Sequence, residues 1–530
     1  MSINKIIIEN YKRFRKFKSN FNKDINIIVG DNESGKSTIL EAIELALNSQ
    51  IGGKYIQYEL SSYLFNNQAV GEYLDKLVQN TPIDLPKILI EVYLEDNIEF
   101  VLLKGTNNSE KEDVPGVAIE IVFDDDYKEE LQKYIQNPSD VKTLPIEYYT
   151  VKWYSFSGNA MKIGKVPLKL MLIDNMNQNS NIGMDKYISN IFENTLTKNE
   201  NIGLSLSYRK LKELFSNEQD IIKINEKIKR NKEITDKDIN ISVDVSGKTK
   251  WETAMSLYVD QVPFKYIGMG EQNSIKMKMA LNAEMHNSNL IMIEEPENNL
   301  SFSNMNKLIK NIEEKCKNKQ LIINTHSTYV ANKLGLDKIL ILNSDKILMM
   351  NEITDETQDY FKKIPGYNTL RMILSNRAIL VEGASDELIV QKAYMKKYSR
   401  LPIEDGIDVI SVEGLAFKRF LEIASKIEKN ITVLTDNDGK IDSLKKKYED
   451  YIDKYTFIKI SYCLDETLVT LEDTLVECND LNVLNGILGK KFVNKEELNN
   501  YMKNNKTECA LKLFETEAEL VFPKYIEDAI

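Results

Sequence analysis

The chain has 530 residues, 42% of them hydrophobic, with 69 basic and 81 acidic side chains for a net charge of −12. That length predicts more than one domain, since single cores rarely grow past about 250 to 300 residues. The absence of any run of about 18 apolar residues excludes a helical membrane span, and the acidic balance argues against a nonspecific coat on nucleic acid without excluding a nuclease.

The N-terminus, Met1-Ser2-Ile3-Asn4-Lys5, lacks the apolar core of a signal peptide, so cytoplasm is the expected address. The four cysteines, Cys316, Cys463, Cys478 and Cys509, show no Cys-x-x-Cys spacing and read as free thiols. The two histidines, His286 and His326, are too few for an imidazole-rich zinc or di-iron site. A catalytic metal would have to be held by carboxylates, which favours Mg²⁺ or Mn²⁺. Three basic clusters, Lys12 to Lys16, Lys227 to Lys232 and Lys445 to Lys447, are candidate phosphate contacts, though such clusters are more often solvated faces.

In chain order, the first informative element is Ile25-Asn26-Ile27-Ile28-Val29, a predicted strand. It runs into Gly30-Asp31-Asn32-Glu33-Ser34-Gly35-Lys36-Ser37 and then into a predicted helix from Thr38. Strand, glycine-framed loop and helix is the context of a phosphate-binding loop, whose glycines let backbone N–H groups face phosphate oxygens. Gly30, Asn32, Gly35, Lys36, Ser37 and Thr38 form the expected nucleotide cradle, with Lys36 reaching the β- and γ-phosphates and Ser37 on Mg²⁺. The alternating run Ile88 to Leu94 predicts a strand of an antiparallel sheet. From Met184-Asp185-Lys186-Tyr187-Ile188 to Ile228 the apolar spacing predicts a few helices, and Asn231 to Asp244 a polar loop. This insertion is either an elaboration of the surrounding domain or a dimerisation arm.

Gly268-Met269-Gly270-Glu271-Gln272-Asn273-Ser274 predicts a glycine turn opening a helix, able to receive a γ-phosphate, in trans if the protein dimerises. Leu290-Ile291-Met292-Ile293-Glu294-Glu295 predicts a buried strand ending in acids. Glu294 is placed for the Mg²⁺ shell and Glu295 for polarising water. Leu321-Ile322-Ile323-Asn324-Thr325-His326 predicts a strand ending in a histidine, read as functional because of that position. Asn351 to Gly366 is polar, contains Pro365-Gly366 and reads as a linker. Beyond it, the strand Ala378-Ile379-Leu380-Val381 ends in Glu382-Gly383, and Ser385-Asp386-Glu387-Leu388 opens a helix. A second strand, Ile431-Thr432-Val433-Leu434, ends in Thr435-Asp436-Asn437-Asp438-Gly439. Alternating strands and helices predict a parallel sheet whose site lies beyond the strand C-termini. Glu382, Asp436 and Asp438 can meet there, and clustered carboxylates repel unless a cation sits among them.

These motifs carry a resemblance. The N-terminal set resembles the ABC-type ATPase heads of the RecF, SMC and OLD (overcoming lysogenization defect) families. Gly268 to Ser274 looks like a degenerate signature loop, His326 matches the switch histidine, and Asn298 to Ser301 falls at the dimer-facing loop. Glu294 stands where many members have Asp. The C-terminal set resembles the Toprim fold of topoisomerases, primases and OLD-family nucleases, with Glu382-Gly383 and Asp436-Asn437-Asp438 matching its two motifs. Asp386, Glu472 in Thr470-Leu471-Glu472-Asp473, and Lys506 are similar to further metal-binding acids and a late lysine of OLD-type nucleases. An ABC head followed by Toprim is the OLD-family layout, and size and order are similar to Gabija-type nuclease subunits.

The resemblance implies an α/β chain: ATPase head in residues 1–160 and 246–350, helical insertion at 161–245, linker at 351–375, and Toprim nuclease domain with C-terminal helices at 376–530. It implies a Mg²⁺-dependent DNA endonuclease controlled by ATP. Glu382, Asp386, Asp436, Asp438 and Glu472 would hold two metal ions, and Lys506 would offset charge on the phosphate. It further implies double-stranded DNA as substrate, self-association, and phage defence, often beside a UvrD-like helicase. The alternatives are a non-cleaving RecF-like ATPase with a vestigial Toprim domain, a topoisomerase, which would need a DNA-gate tyrosine domain, and a primase, which would need a zinc module.

Overall fold

A computed structural model describes the chain except for residues 82, 163, 175–195, 231–240, 243–250, 252–255, 282–288, 316–318, 344–345, 351–352, 367, 413–415 and 453. The helices expected around Met184 to Ile188, most of the loop expected over 231–244, and His286 and Cys316 lie outside the described residues. Two compact units emerge: residues 1–26 with 37–324, and residues 27–36 with 325–530.

The first unit opens with β1 (Ile3–Tyr11) and β2 (Phe14–Asn20), paired antiparallel. The chain then passes through β3 (Ile25–Val29) and the glycine loop into α1 (Lys36–Asn48). Strands β4 (Ile88–Leu94), β5 (Val114–Phe123) and β6 (Tyr149–Ser155) extend the antiparallel sheet in the order β2-β1-β4-β5-β6. The run read from alternation, Ile88 to Leu94, is therefore its middle strand. A second set of strands is parallel: β7 (Leu170–Asp174), β8 (Leu290–Glu294) and β9 (Gln320–Asn324). Leu290 to Ile293 are fully buried, which is why these strands read as unbroken apolar runs.

Between β7 and β8 come α2 (Lys198–Ser216), α3 (Gln219–Arg230) and α4 (Met269–Leu281). The segment 161–245, expected to be helical, thus begins with a strand, β7, in register with β8. Five residues of Leu170-Met171-Leu172-Ile173-Asp174 are too few to show a period, and the helical pattern downstream obscured them. After β8 comes α5 (Phe302–Lys315).

In the second unit, β3 pairs in parallel with β10 (Ile339–Asn343), which pairs antiparallel with β11 (Lys346–Met349). Helix α6 (Thr328–Leu334) is capped by Ser327, whose side chain accepts from the Val330 N–H. The expected linker is largely helical: α7 (Asp355–Lys363) and α8 (Thr369–Leu374) bury Thr357, Phe361, Leu370, Met372 and Ile373.

The C-terminal sheet is all parallel, built from β12 (Arg377–Val381), β13 (Ile407–Ser411), β14 (Ile431–Leu434) and β15 (Ile458–Ser461) in the order β13-β12-β14-β15. Helices α9 (Ala384–Tyr398), α10 (Phe417–Lys426) and α11 (Ile441–Lys447) alternate with these strands. Then follow α12 (Leu471–Cys478), α13 (Leu481–Leu488), α14 (Lys495–Asn504), α15 (Lys506–Glu515) and α16 (Lys524–Glu527). One core, including Ile379, Val381, Ile389, Leu475, Leu484, Leu498 and Leu513, joins strand and helix faces. Lysines strap the last residues down: Lys392 donates to Thr516 O at 2.5 Å, Lys396 to Leu520 O at 2.5 Å, and Lys459 to Asp528 O at 2.9 Å.

Candidate metal centre and nucleotide loop

Strand β12 is buried throughout its last four residues and delivers Glu382 to the C-terminal edge of the parallel sheet. Adjacent β14 delivers Thr435 and Asp436 to the same edge. The two meet directly: Thr435 Oγ1 donates to Glu382 Oε1 at 2.6 Å, and the Asp436 N–H donates to the same oxygen at 3.1 Å. Asp386, in the first turn of α9, accepts from the Gly383 N–H at 3.1 Å, which fixes the turn after Glu382.

Burial pushes the Asp436 carboxyl up to about 8, reinforced by the charges of Glu382, Asp386 and Glu472 and opposed by Lys506. Asp386 is pushed up to about 6, first by burial and then by Glu382, with Glu472 adding to it. Glu472, on α12, is 4% exposed. Its Oε2 has no hydrogen bond and lies 3.4 Å from Lys506 Nζ. Burial works against the charge of Lys506, but Glu472, Asp436 and Asp386 raise its pKa above the ordinary lysine range. Its neighbour Asp473 has a different task, capping α12 through Thr470 and pairing with Lys503 at 2.7 Å.

The structure therefore brings Glu382, Asp386, Asp436, Glu472 and Lys506 into mutual electrostatic reach. Asp438 differs from them in exposure. It is exposed, on a left-handed backbone with φ of 51°. Between the two aspartates, Asn437 is buried and pins the turn, donating to Cys463 O at 3.0 Å and Asp465 O at 2.8 Å. Among the described residues, no three Asp, Glu, His or Cys side chains are grouped closely enough to hold a metal as they stand. The donor chemistry still fits a hard divalent cation: all oxygen, half-buried or buried, mutually repelling, with one carboxylate oxygen lacking a hydrogen bond.

Two tyrosines beside this group escaped the sequence reading. Tyr525, on α16, lines one small cavity with Asp386, Thr435 and Asp436. Tyr448, just after α11, is fully buried near Glu382, Thr435 and Asp438. Each is a single aromatic in an unremarkable stretch, so no spacing announces it.

In the nucleotide loop, a Cβ on Gly30 would lie 2.7 Å from Ser34 Oγ and 2.8 Å from Leu342 O, so only glycine fits. Gly35 has a φ of 103°. Lys36 is buried, and its Nζ donates to Gly30 O at 3.0 Å and Asp31 O at 2.8 Å. Asn32 and Ser37 are exposed and Thr38 half-buried. His326 is exposed between β9 and α6.

Within the first unit, the Ser37 hydroxyl bonds the Glu294 carboxylate, which also accepts from Asn324 Nδ2 at 3.2 Å. Glu295 has a left-handed φ of 43°, a strained setting typical of functional positions. Its N–H donates to Asn324 Oδ1 at 2.8 Å, and Asn298 Nδ2 donates to its Oε2 at 2.6 Å. The start of α4 packs on the loop that follows, with Asn273 Nδ2 donating to Asn298 O at 3.1 Å.

The basic clusters divide. Lys12 pairs with Glu41 at 2.6 Å and Arg15 with Glu72 at 2.8 Å, as a balanced surface would. Lys445, Lys446 and Lys447 are exposed on α11. Cys463, Cys478 and Cys509 are free thiols, and no helix among the described residues is long and apolar enough to cross a membrane.

Comparison with known families gives two matches: the TOPRIM domain of overcoming lysogenization defect protein-like proteins over residues 373–438, and an AAA ATPase domain over residues 1–144. Similar solved structures include the SMC head domain from Thermotoga maritima, at 14% identity over 64% of this chain and 94% of that one, with a TM-score of 0.29. They also include the Smc head with an extended coiled coil bound to the ScpA C-terminal domain, from Pyrococcus furiosus, at 14% identity over 68% and 99%, TM-score 0.33. The recombination mediator RecF with ATPrS is similar at 14% identity over 65% and 97%, TM-score 0.33. No curated protein matches the chain.

Proposed function

We propose that this chain, which joins an AAA-type ATPase domain to an OLD-like Toprim domain in the manner of an OLD-family ATPase, is a DNA endonuclease whose cutting site is governed by nucleotide. One observation carries the reading: Glu382, Asp386, Asp436 and Glu472 crowd at the C-terminal edge of a parallel sheet, with Lys506 beside them. Such crowding is costly unless the group serves a cation.

Held by these four carboxylates, a divalent cation, Mg²⁺ or Mn²⁺, would supply an activated water and charge neutralisation at a phosphodiester. Lys506 offsets negative charge that builds on the phosphate. Thr435 and the Asp436 N–H orient Glu382. Asp438, exposed on the turn after Asp436, would be a further ligand from the solvent side. On the ATPase side, Gly30, Asn32, Gly35, Lys36, Ser37 and Thr38 would cradle ATP, Ser37 and Glu294 would hold its Mg²⁺, and Glu295 would polarise water. His326 reports the state of the γ-phosphate. The similarity to Gabija-type nuclease subunits extends the proposal to double-stranded DNA as substrate, self-association, phage defence and a UvrD-like helicase partner.

Purified protein incubated with supercoiled plasmid and Mg²⁺, with and without ATP, tests the reading. Wild type should nick or linearise the plasmid only with a divalent ion, and Glu382→Ala should lower the rate by at least about 100-fold, with ATP binding retained. A Glu382→Ala variant that nicks as fast as wild type would end this assignment. The second reading, a non-cleaving RecF-like ATPase with a vestigial Toprim domain, is favoured by the lack of three closely grouped ligands among the described residues. Plasmid left intact under every metal condition would select it.

A further inference from the structure

Tyr448 follows α11 directly and is wholly buried. Its hydroxyl faces Thr435 and lies near the charge of Glu382, yet it has no hydrogen-bond partner. A buried hydroxyl left unpaired is unfavourable, and phenylalanine would fill the same space without that penalty. The hydroxyl is therefore a feature to be explained by what stands next to it.

Thr435 is that neighbour. Its Oγ1 donates to Glu382 Oε1 at 2.6 Å, and the Asp436 N–H reaches the same oxygen at 3.1 Å. A threonine hydroxyl has one proton and can also accept. Its proton is committed to Glu382 most firmly when another donor fills its acceptor side, and Tyr448, whose hydroxyl faces Thr435 without yet closing a hydrogen bond on it, is the donor at hand. With Oε1 engaged in this way, Oε2 of Glu382 is the oxygen left to face a cation.

We propose that Tyr448 is a positioning residue of the carboxylate site, acting through Thr435 to hold Glu382 with one oxygen presented to a divalent cation. This rests on the metal reading given above. Partners that orient a metal ligand are commonly worth about 10- to 100-fold in metal affinity.

The test uses the full chain and Mg²⁺ as probe. Tyr448→Phe keeps the ring and removes only the hydroxyl. Calorimetric titration should show its Mg²⁺ dissociation constant raised roughly 10-fold, and the Mg²⁺ midpoint for plasmid nicking should move by the same factor, more than the rate at saturation. Its melting temperature in EDTA should not fall, since an unpaired hydroxyl has been removed. Thr435→Val should weaken Mg²⁺ binding too, Thr435→Ser should restore it, and the Tyr448→Phe/Thr435→Val pair should be no worse than the poorer single variant, because both interrupt one relay. Wild-type Mg²⁺ affinity in Tyr448→Phe overturns the inference while leaving the metal site intact. Additive losses in the pair overturn the relay. A wild-type chain that neither binds Mg²⁺ nor nicks overturns the metal reading and this inference together.

Discussion

Asp436 and Asp386 illustrate how position alone sets the chemistry of a common side chain. In an unfolded chain each carboxyl would titrate near pH 4. Burial and neighbouring acids raise them to about 8 and about 6 in the fold. A raised folded-state value means that the folded chain holds its protons longer. The associated stability is full below about pH 4 and is lost as pH rises through about 6 and then about 8. Without divalent ions the melting temperature should therefore fall between pH 5 and pH 8.5, and Mg²⁺ should flatten that slope. Asp436→Asn should raise the melting temperature in EDTA at pH 8, and scanning calorimetry of both proteins across this range checks the sign. A glycine makes the second argument. A Cβ at Gly270 would sit 2.3 Å from Asn299 O, a backbone atom that cannot step aside. Gly270→Ala should separate the start of α4 from the loop after β8 and lower ATP turnover by roughly 10- to 100-fold, the scale of a 1 Å misplacement. Folding, read from circular dichroism, should be preserved.

At the scale of elements, the segment just before the TOPRIM match is the least expected part. Asn351 to Gly366 reads as a linker because it is polar and ends in Pro-Gly, yet α7 and α8 are tied into the fold at several points. Phe361 packs edge-on against Phe420 at 5.4 Å. Thr369 Oγ1 donates to Asn332 on α6 at 2.6 Å. Arg371 forms a two-pronged pair with Asp408 of β13, at 2.9 and 2.6 Å. One buried phenylalanine in nine residues leaves α7 without a legible apolar stripe, and tertiary partners supply what periodicity does not show. By contrast, Ile379-Leu380-Val381 and Val433-Leu434 announced parallel strands, because burial on both faces leaves mostly apolar residues. Glu382 and Asp436 were legible for the same reason, each being the first acid past such a run. Glu472 and Lys506 were visible only through resemblance, and Tyr448 and Tyr525 not at all, since what unites them is packing between distant helices. Arg371→Leu should leave Asp408, whose side chain is 10% exposed, charged and unpaired. A fully buried pair broken this way costs about 3–5 kcal/mol, and the partial exposure of Arg371 lowers the expectation to about 2 kcal/mol. Urea unfolding should show that loss, and Arg371→Leu/Asp408→Asn should recover much of it.

Across the whole molecule, the division into two units does not follow the order of the sequence. The nucleotide loop, residues 27–36, is grouped with residues 325–530 rather than with the helix it opens. The unit holding the parallel Toprim sheet therefore also contains Lys36, and its Lys429, at the end of the turn after α10, is influenced by the charge of Asp31 in that loop. Lys429 also donates to Ile373 O at the end of α8, so the linker helices belong to this unit's interior. A boundary drawn at 376, where the C-terminal domain was expected to begin, would remove them. Phe420 would lose Phe361, and Glu422 would lose the Thr354 N–H and hydroxyl it now accepts, at 2.6 and 3.1 Å. Losing one buried phenylalanine contact set alone is worth about 3–5 kcal/mol. A fragment of residues 353–530 should accordingly unfold cooperatively in urea, whereas 376–530 should be less stable by at least about 3 kcal/mol or fail to fold. Equal midpoints for the two fragments would mean that α7 and α8 only cover the sheet domain without stabilising it, and that the segment acts as a tether after all.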